Sequence, residues 1–94
     1  GDQFTEAKAR FAKSVVDQAL EQARAADVEA SGDTGVSALV HEAILEAADR
    51  LQCDLIAMAS HGRRGLAGLL IGSETQRVLT QARCPVLVIP PADR

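Results

Sequence analysis

The chain has 94 residues and a formal net charge of −3, and it is 47% hydrophobic, 24% charged and only 2% aromatic. This composition is typical of one small globular domain with an aliphatic core, and it excludes a disordered or low-complexity chain. The negative net charge argues against a nucleic-acid binder, which presents a basic face to phosphates. No apolar run approaches the roughly eighteen residues of a membrane span, and a signal-peptide pattern is missing. We therefore expect a cytoplasmic protein with neither nucleic acid nor membrane as its partner.

The first half of the chain predicts two amphipathic helices separated by a short strand and a loop. Apolar residues recur at helical spacing over residues 5–26 and again over about 37–51. Residues 27–30 are predicted as a strand, and the turn-forming residues 31–35 as a loop. His41 falls beside the polar face of the second helix, so we expect it to be solvated.

The second half predicts two buried strands joined by a glycine-rich loop and a helix. Residues 54–58 and 85–90 are short, continuous apolar runs, as expected of strands covered on both faces. A helix is predicted over residues 74–82, with Val78 and Leu79 facing inward. Because helices and strands alternate, the fold class is predicted to be α/β, with a doubly wound parallel sheet between two helical layers.

Glycines cluster between the strand at residues 54–58 and the helix that follows it. Such residues let the backbone approach a ligand closely, and free N–H groups at a helix start attract anions. The pattern Ser73-x-x-Gln76 predicts Ser73 as the helix N-cap. Four of the seven glycines fall within eleven residues: Gly62, Gly65, Gly68 and Gly72. The segment 59–73 is therefore predicted to hold phosphates, the alternative being a flexible loop that caps its helix and binds nothing.

Charge is distributed unevenly along the chain. Residues 59–85 contain four arginines and one acid, a local charge of +3 that leaves −6 on the remaining residues. That balance suits a small anionic ligand, with an ordinary solvated basic surface as the alternative. The loop contains neither a Walker A ending nor the glycine pattern of dinucleotide folds. Arg63 and Arg64 are expected to be solvent-exposed, with electrostatic support of the ligand as the other interpretation.

The segment 54–89 resembles the last third of the universal stress protein family. That family's ATP signature is G-x2-G-x9-G-[ST], and its second part is matched here by Gly62, nine further residues, and then Gly72 and Ser73. Ala59 stands where the signature has its first glycine, and the resemblance implies that its methyl group would narrow the space beside the ribose and phosphates. The resemblance implies a fold like that of adenine nucleotide alpha hydrolases and a stress-response module that binds ATP, with or without Mg²⁺.

The resemblance also assigns roles by position. The ribose and adenine side would be lined by Met58 and Ala59, while His61 and Gly62 approach the phosphates. The remaining residues of the phosphate cradle would be Gly72, Ser73, Glu74 and Thr75.

The resemblance further implies that residues 1–94 form a single, partial domain. Members of the family begin with a strand, a helix and a second strand, and these three elements have no counterpart ahead of residue 5. It also implies a homodimer formed by antiparallel pairing of the strand Val86–Ile89. The alternative function is therefore a dimerising interaction module that binds no nucleotide.

Two chemical alternatives receive little support from the sequence. Glu74 is the only acid between Ala59 and Pro85, so a metal-assisted hydrolase lacks carboxylates and any ATPase activity should be slow. Cys53 and Cys84 show no metal-ligand spacing, which disfavours a zinc site. We expect both cysteines to be small apolar residues in a reducing compartment rather than a structural disulfide.

Overall fold

The structure is a computed structural model, and it describes residues 2–61 and 71–91. The chain divides into two compact units, residues 1–36 and 37–94. Within the described ranges, the first unit contains one helix, and the second contains the sheet and two helices. In chain order the elements are α1 (Asp2–Ala25), α2 (Val40–Arg50), β1 (Ile56–Ala59), α3 (Ser73–Gln81) and β2 (Val86–Ile89).

Helix α1 confirms the predicted helix but begins at Asp2 and ends at Ala25. Salt bridges between neighbouring turns support its polar side, for example Lys13 with Asp17 at 2.9 Å. No residue of α1 is buried. The apolar stripe that predicts this helix is therefore at most partly covered.

The segment after α1 is not the strand that we expect from the sequence. The Val28 N–H donates to the Ala23 carbonyl at 2.8 Å, and Asp27 adopts a left-handed φ of 61°. This arrangement is a Schellman-type helix ending, although an aspartate takes the position usually held by glycine. Residues 28–36 have no regular secondary structure, and Val28 is 57% exposed. The prediction is wrong because a strand needs a partner for its backbone groups, and the described residues place none beside this segment.

Helix α2 begins three residues later than the periodicity predicts. The Ser37 hydroxyl accepts a hydrogen bond from the Leu39 N–H at 3.1 Å and donates to the Leu39 carbonyl. Such a local side-chain turn competes with helix formation, so α2 starts at Val40. At its other end, Gln52 adopts a left-handed φ of 54°.

Strands β1 and β2 pair in parallel, with Ile56 opposite Val86 and Ala59 opposite Ile89. Both predicted strands are confirmed, with β1 shifted toward the carboxyl side. Alternate residues of β1 and β2 are buried or half-buried, and the residues between them are exposed. Only one face of the described sheet is therefore covered, whereas the apolar runs predict cover on both faces.

Helix α3 connects the two strands and packs against both β2 and α2. Val78 is fully buried and is, with Ile56, one of the two buried apolar residues among those described. Leu79 was predicted to face inward, but it is 40% exposed because the next position lies about 100° further round the helix. Within the described ranges, no helix is both long and apolar enough to cross a membrane.

Candidate functional site

The two ends of the glycine-rich segment meet at the carboxyl end of the sheet. The Gly72 N–H donates to the Ser60 carbonyl at 2.6 Å, which joins the residue after β1 to the residue before α3. The Ser60 N–H in turn donates to the Ile89 carbonyl at 2.9 Å, at the end of β2. The chain that leaves β1 at His61 and returns at Ile71 is thus closed by a hydrogen bond anchored to both strands.

Helix α3 opens at this junction. Its N-cap is Gly72, in an extended conformation with φ −73° and ψ 164°, and no side chain caps it. The predicted N-cap, Ser73, is instead the first helical residue, so that prediction is wrong by one position. The first bond along the helix runs from the Gln76 N–H to the Gly72 carbonyl at 3.0 Å. The N–H groups of Ser73, Glu74 and Thr75 precede that bond and have no acceptor within the helix, so they suit an anion.

Thr75 links the start of α3 to the end of β1 by a hydrogen bond. Its side chain is buried, with the residue only 2% exposed, and its hydroxyl donates to the Ala59 carbonyl at 2.9 Å. Because that proton is engaged within the protein, Thr75 can offer a ligand its backbone N–H. A buried hydroxyl with a fixed acceptor holds the α3 start against the end of β1.

His61 lies where the chain leaves the strand. Its Nδ1 shares a hydrogen bond with the hydroxyl of Ser60 at 3.1 Å, and the direction of that bond depends on the imidazole tautomer. Its Nε2 is buried and has no hydrogen-bond partner within the described residues. Ser60 itself is 3% exposed. If the Ser60 hydroxyl donates to Nδ1, Nε2 carries the ring proton and can donate to a ligand oxygen.

Glu74 joins α3 to α2. Its Oε1 accepts the His41 backbone N–H at 2.9 Å and lies 3.2 Å from His41 Nδ1, while its Oε2 accepts from Arg77 at 2.7 Å. Because Leu39 provides no side-chain cap for α2, the Glu74 carboxylate takes that place from a neighbouring helix.

These contacts determine how Glu74 titrates. Desolvation raises the pKa of Glu74, but hydrogen bonds from the His41 backbone and ring, together with the hydrogen bond and charge of Arg77, lower it below its ordinary value. The net direction is downward, since several donors converge on a carboxylate whose side chain is still 37% exposed. Glu74 therefore stays ionised and paired beside the candidate anion site.

The structure brings most of the predicted site residues to one place. Met58 is half-buried and Ala59 exposed at the end of β1, while Ser73 lies exposed at the start of α3. Gly62 lies outside the described residues, as do Arg63 and Arg64.

The sequence did not identify two residues that help to form the candidate site, His41 and Ser60. His41 was expected to be solvated, but it is 8% exposed and contacts Glu74 across a separation of thirty-three positions. No local pattern signals that contact, because the two residues belong to different helices. Ser60 could have been predicted as a site residue, because it directly follows the carboxyl end of an apolar strand, where α/β sheets bind their ligands.

The described ranges do not support a metal-binding role. They contain no group of three or more His, Cys, Asp or Glu side chains that could hold a metal ion. The chemistry that they do provide is hydrogen-bond donation from a helix start, a histidine ring and a serine.

A parallel β-α-β unit with a loop closed on a helix start is typical of α/β proteins that bind ligands at the carboxyl ends of their strands. The sequence profile of the universal stress protein family matches residues 2–90, and the chain belongs to that family. The solved structure of the hypothetical protein MJ0577 superposes with a TM-score of 0.64 at 27% identity, over 95% of this chain and 69% of that one. These findings confirm the predicted family and the α/β fold class.

Curated relatives agree with this assignment. A universal stress protein from Thermus aquaticus, in the QAH/OAS sulfhydrylase 3′ region, is 37% identical over 87 residues, covering 84% of this chain. Universal stress protein MJ0531 from Methanocaldococcus jannaschii is 46% identical over 46 residues, or 49% of this chain. The chain spans 64% and 27% of the lengths of these two relatives.

Proposed function

We propose that this chain is a stress-response module that binds ATP, with the phosphates held by the segment 59–73 and the first turn of α3. The observation that carries the proposal is the 2.6 Å hydrogen bond from the Gly72 N–H to the Ser60 carbonyl. It brings the two ends of the signature segment together at a helix start whose first N–H groups have no acceptor within the helix. The family assignment supports the same ligand.

The surroundings of four predicted residues, Ser73, Glu74, Thr75 and His61, suit hydrogen-bond donation to phosphates. Ser73, Glu74 and Thr75 would donate backbone N–H groups to phosphate oxygens, and the exposed Ser73 hydroxyl would add a donor. His61 would donate through Nε2, whose lack of a partner in the described chain leaves it available. The paired Glu74 carboxylate would repel phosphate less than a free one, because Arg77 lies 2.7 Å from it. Mg²⁺ would be held mainly by the phosphates.

The test replaces Gly72 in two ways and measures ATP affinity by isothermal titration calorimetry. The negative φ of Gly72 is open to any residue, so an added side chain acts by its bulk rather than by backbone strain. Gly72→Val adds a branched side chain and weakens the N-cap, whereas Gly72→Ser adds a Cβ but supplies a favourable N-cap. We expect both variants to weaken ATP binding by at least about tenfold.

The paired design separates steric blocking from helix disruption. Loss of affinity in the valine variant alone would mean that the helix start, and not close backbone approach, governs binding. Absence of ATP binding by the unmodified chain, in a sample whose circular dichroism shows folded helix, would refute the proposal. Adenosine serves as the ligand control, because phosphate contacts predict that it binds more weakly than ATP.

A second function is favoured by the exposed apolar residues of β2. Leu87 is 52% and Ile89 50% exposed, and within the described residues β2 has a strand on one side only. An unpaired strand edge with apolar side chains is suited to pairing with another chain. We therefore propose a homodimer formed through Val86–Ile89. The alternative function is a dimerising interaction module that binds no nucleotide.

The dimer is tested with an exposed position. Val88 is half-buried, so Val88→Lys would disturb the fold together with any interface. Leu87→Lys changes an exposed side chain and should yield monomers by light scattering, with Gln81→Lys as an exposed control outside the strand. A dimeric mass for the Leu87 variant would show that this face of β2 is not part of the interface.

The remaining expectations complete the proposal. We propose a cytoplasmic module that forms part of a larger domain and whose ligand is a nucleotide rather than a nucleic acid. Any hydrolysis would be slow, because the acidic residue in the first turn of α3, Glu74, is engaged by His41 and Arg77.

A further inference from the structure

A second feature lies at the opposite end of the sheet from the candidate nucleotide site. A cavity of about 90 Å³ lies before the amino ends of β1 and β2, and both cysteines of the chain line it. Cys53 precedes β1 and Cys84 precedes β2, and both are free thiols. The volume corresponds to a few water molecules, so two residues that are far apart in the sequence border one small space.

Backbone hydrogen bonds fix both cysteines near this cavity. The Cys53 N–H donates to the Ala48 carbonyl at 2.9 Å, in the turn that ends α2. The residue after Cys84 is Pro85, whose carbonyl accepts the Ile56 N–H at 3.0 Å and so joins the two chain segments just beyond the cysteines. Both cysteines therefore lie near the amino ends of the paired strands, beside the cavity that they line.

The surroundings favour a disulfide over a metal as the chemistry of this pair. Asp49 and Arg83 also line the cavity, yet no group of three or more potential ligand side chains occurs within the described residues. Two thiols without a further ligand leave a zinc site incomplete.

We propose that Cys53 and Cys84 form a reversible dithiol–disulfide pair that responds to peroxide. The proposal is independent of nucleotide binding. Cys53 is exposed and Cys84 half-buried, so Cys53 is the first to react. Its sulfur attacks one oxygen of hydrogen peroxide, the O–O bond breaks, and a sulfenic acid and one water form. The Cys84 sulfur then attacks the Cys53 sulfur, the S–O bond breaks, and a second water leaves with the disulfide formed.

The disulfide would close a loop that contains β1, the glycine-rich segment and α3. A cross-link of this kind limits how far the amino ends of the two strands can separate, and a dithiol reductant reverses it. Oxidation would therefore tighten the β-α-β unit that carries the candidate nucleotide site.

The experiment treats the purified chain with hydrogen peroxide at low protein concentration and follows its intact mass. We expect a loss of about 2 Da that dithiothreitol reverses, and a tryptic peptide pair joined through the two cysteines. Cys84→Ser should accumulate sulfenic acid on Cys53, about 16 Da heavier and trapped by dimedone. Cys53→Ser should react more slowly, because its remaining thiol is half-buried.

A urea-denatured sample provides the control for native geometry. The disulfide should form faster in the folded chain, because the fold holds both thiols at one cavity. Equal rates in urea and in buffer, oxidation to separate adducts on the two cysteines, only intermolecular disulfides, or no reaction would each overturn the proposal.

Discussion

Removing the hydroxyl of Thr75 should destabilise the fold while leaving phosphate binding intact. Thr75→Val keeps the shape of a side chain that is 2% exposed and deletes a hydrogen bond of 2.9 Å to the Ala59 carbonyl. A net protein hydrogen bond contributes about 0.5–1.5 kcal/mol. Because Val and Thr are both branched at Cβ, little packing or helix propensity is lost. We therefore expect the free energy of unfolding to fall by about 1 kcal/mol.

Urea unfolding followed by circular dichroism measures this change. In a chain of this size, 1 kcal/mol lowers the melting temperature by about 4–8 °C. Thr80→Val is the matched control, because Thr80 lies on the same helix and is exposed, and its hydroxyl bonds to the nearby Arg77 carbonyl. Its effect should stay within about 0.5 kcal/mol.

Calorimetry with ATP then tests whether the Thr75 hydroxyl has a structural role or contacts the ligand. If Thr75 acts as the structure indicates, Thr75→Val should bind ATP within about twofold of the unmodified chain, since its backbone N–H remains. Unchanged stability combined with a loss of affinity of about tenfold or more would refute this reasoning. The hydroxyl would then belong to the phosphate cradle.

Two further predictions concern Glu74 and Ala59. Donors from His41 and Arg77 lower the pKa of Glu74, so stabilisation by its carboxylate is complete above the ordinary value of 4.5 and is lost as the pH falls through the folded-state pKa. Urea unfolding should show Glu74→Gln less stable than the unmodified chain at neutral pH, with a difference that shrinks on acidification; a pH-independent difference would contradict this. Ala59→Gly restores the first glycine of the family signature and should tighten ATP binding in calorimetry, whereas unchanged affinity would show that the methyl group does not crowd the ligand.

Local patterns in the sequence were sufficient for the elements of the second unit. The run before Pro90 and the run after Cys53 predict strands, and the structure pairs them in parallel. Helix limits were less accurate, because Ser37 forms a turn of its own and Gly72 takes the cap position that the pattern assigns to Ser73. Such one- to three-residue shifts depend on single hydrogen bonds that periodicity does not encode.

Long-range contacts were beyond the reach of sequence reasoning. The strand predicted at residues 27–30 alternates polar and apolar residues, but its formation depends on a neighbouring strand. His41 and Glu74 meet only because α2 and α3 pack together. The sequence predicts the candidate site at the carboxyl end of a parallel sheet, because glycines and a helix start follow a buried strand. It does not reveal that the side chains of Thr75 and Glu74 are engaged by other protein groups.

The most direct test of the central claim is an ATP titration followed by backbone amide shifts in two-dimensional NMR. The claim is that phosphates bind where Ser60 and His61 meet the first turn of α3. The largest shift changes should therefore fall on the amides of residues 60–61 and 72–75, with those of α1 little affected. Saturable changes centred elsewhere, or none in the presence of excess ATP, would contradict the account.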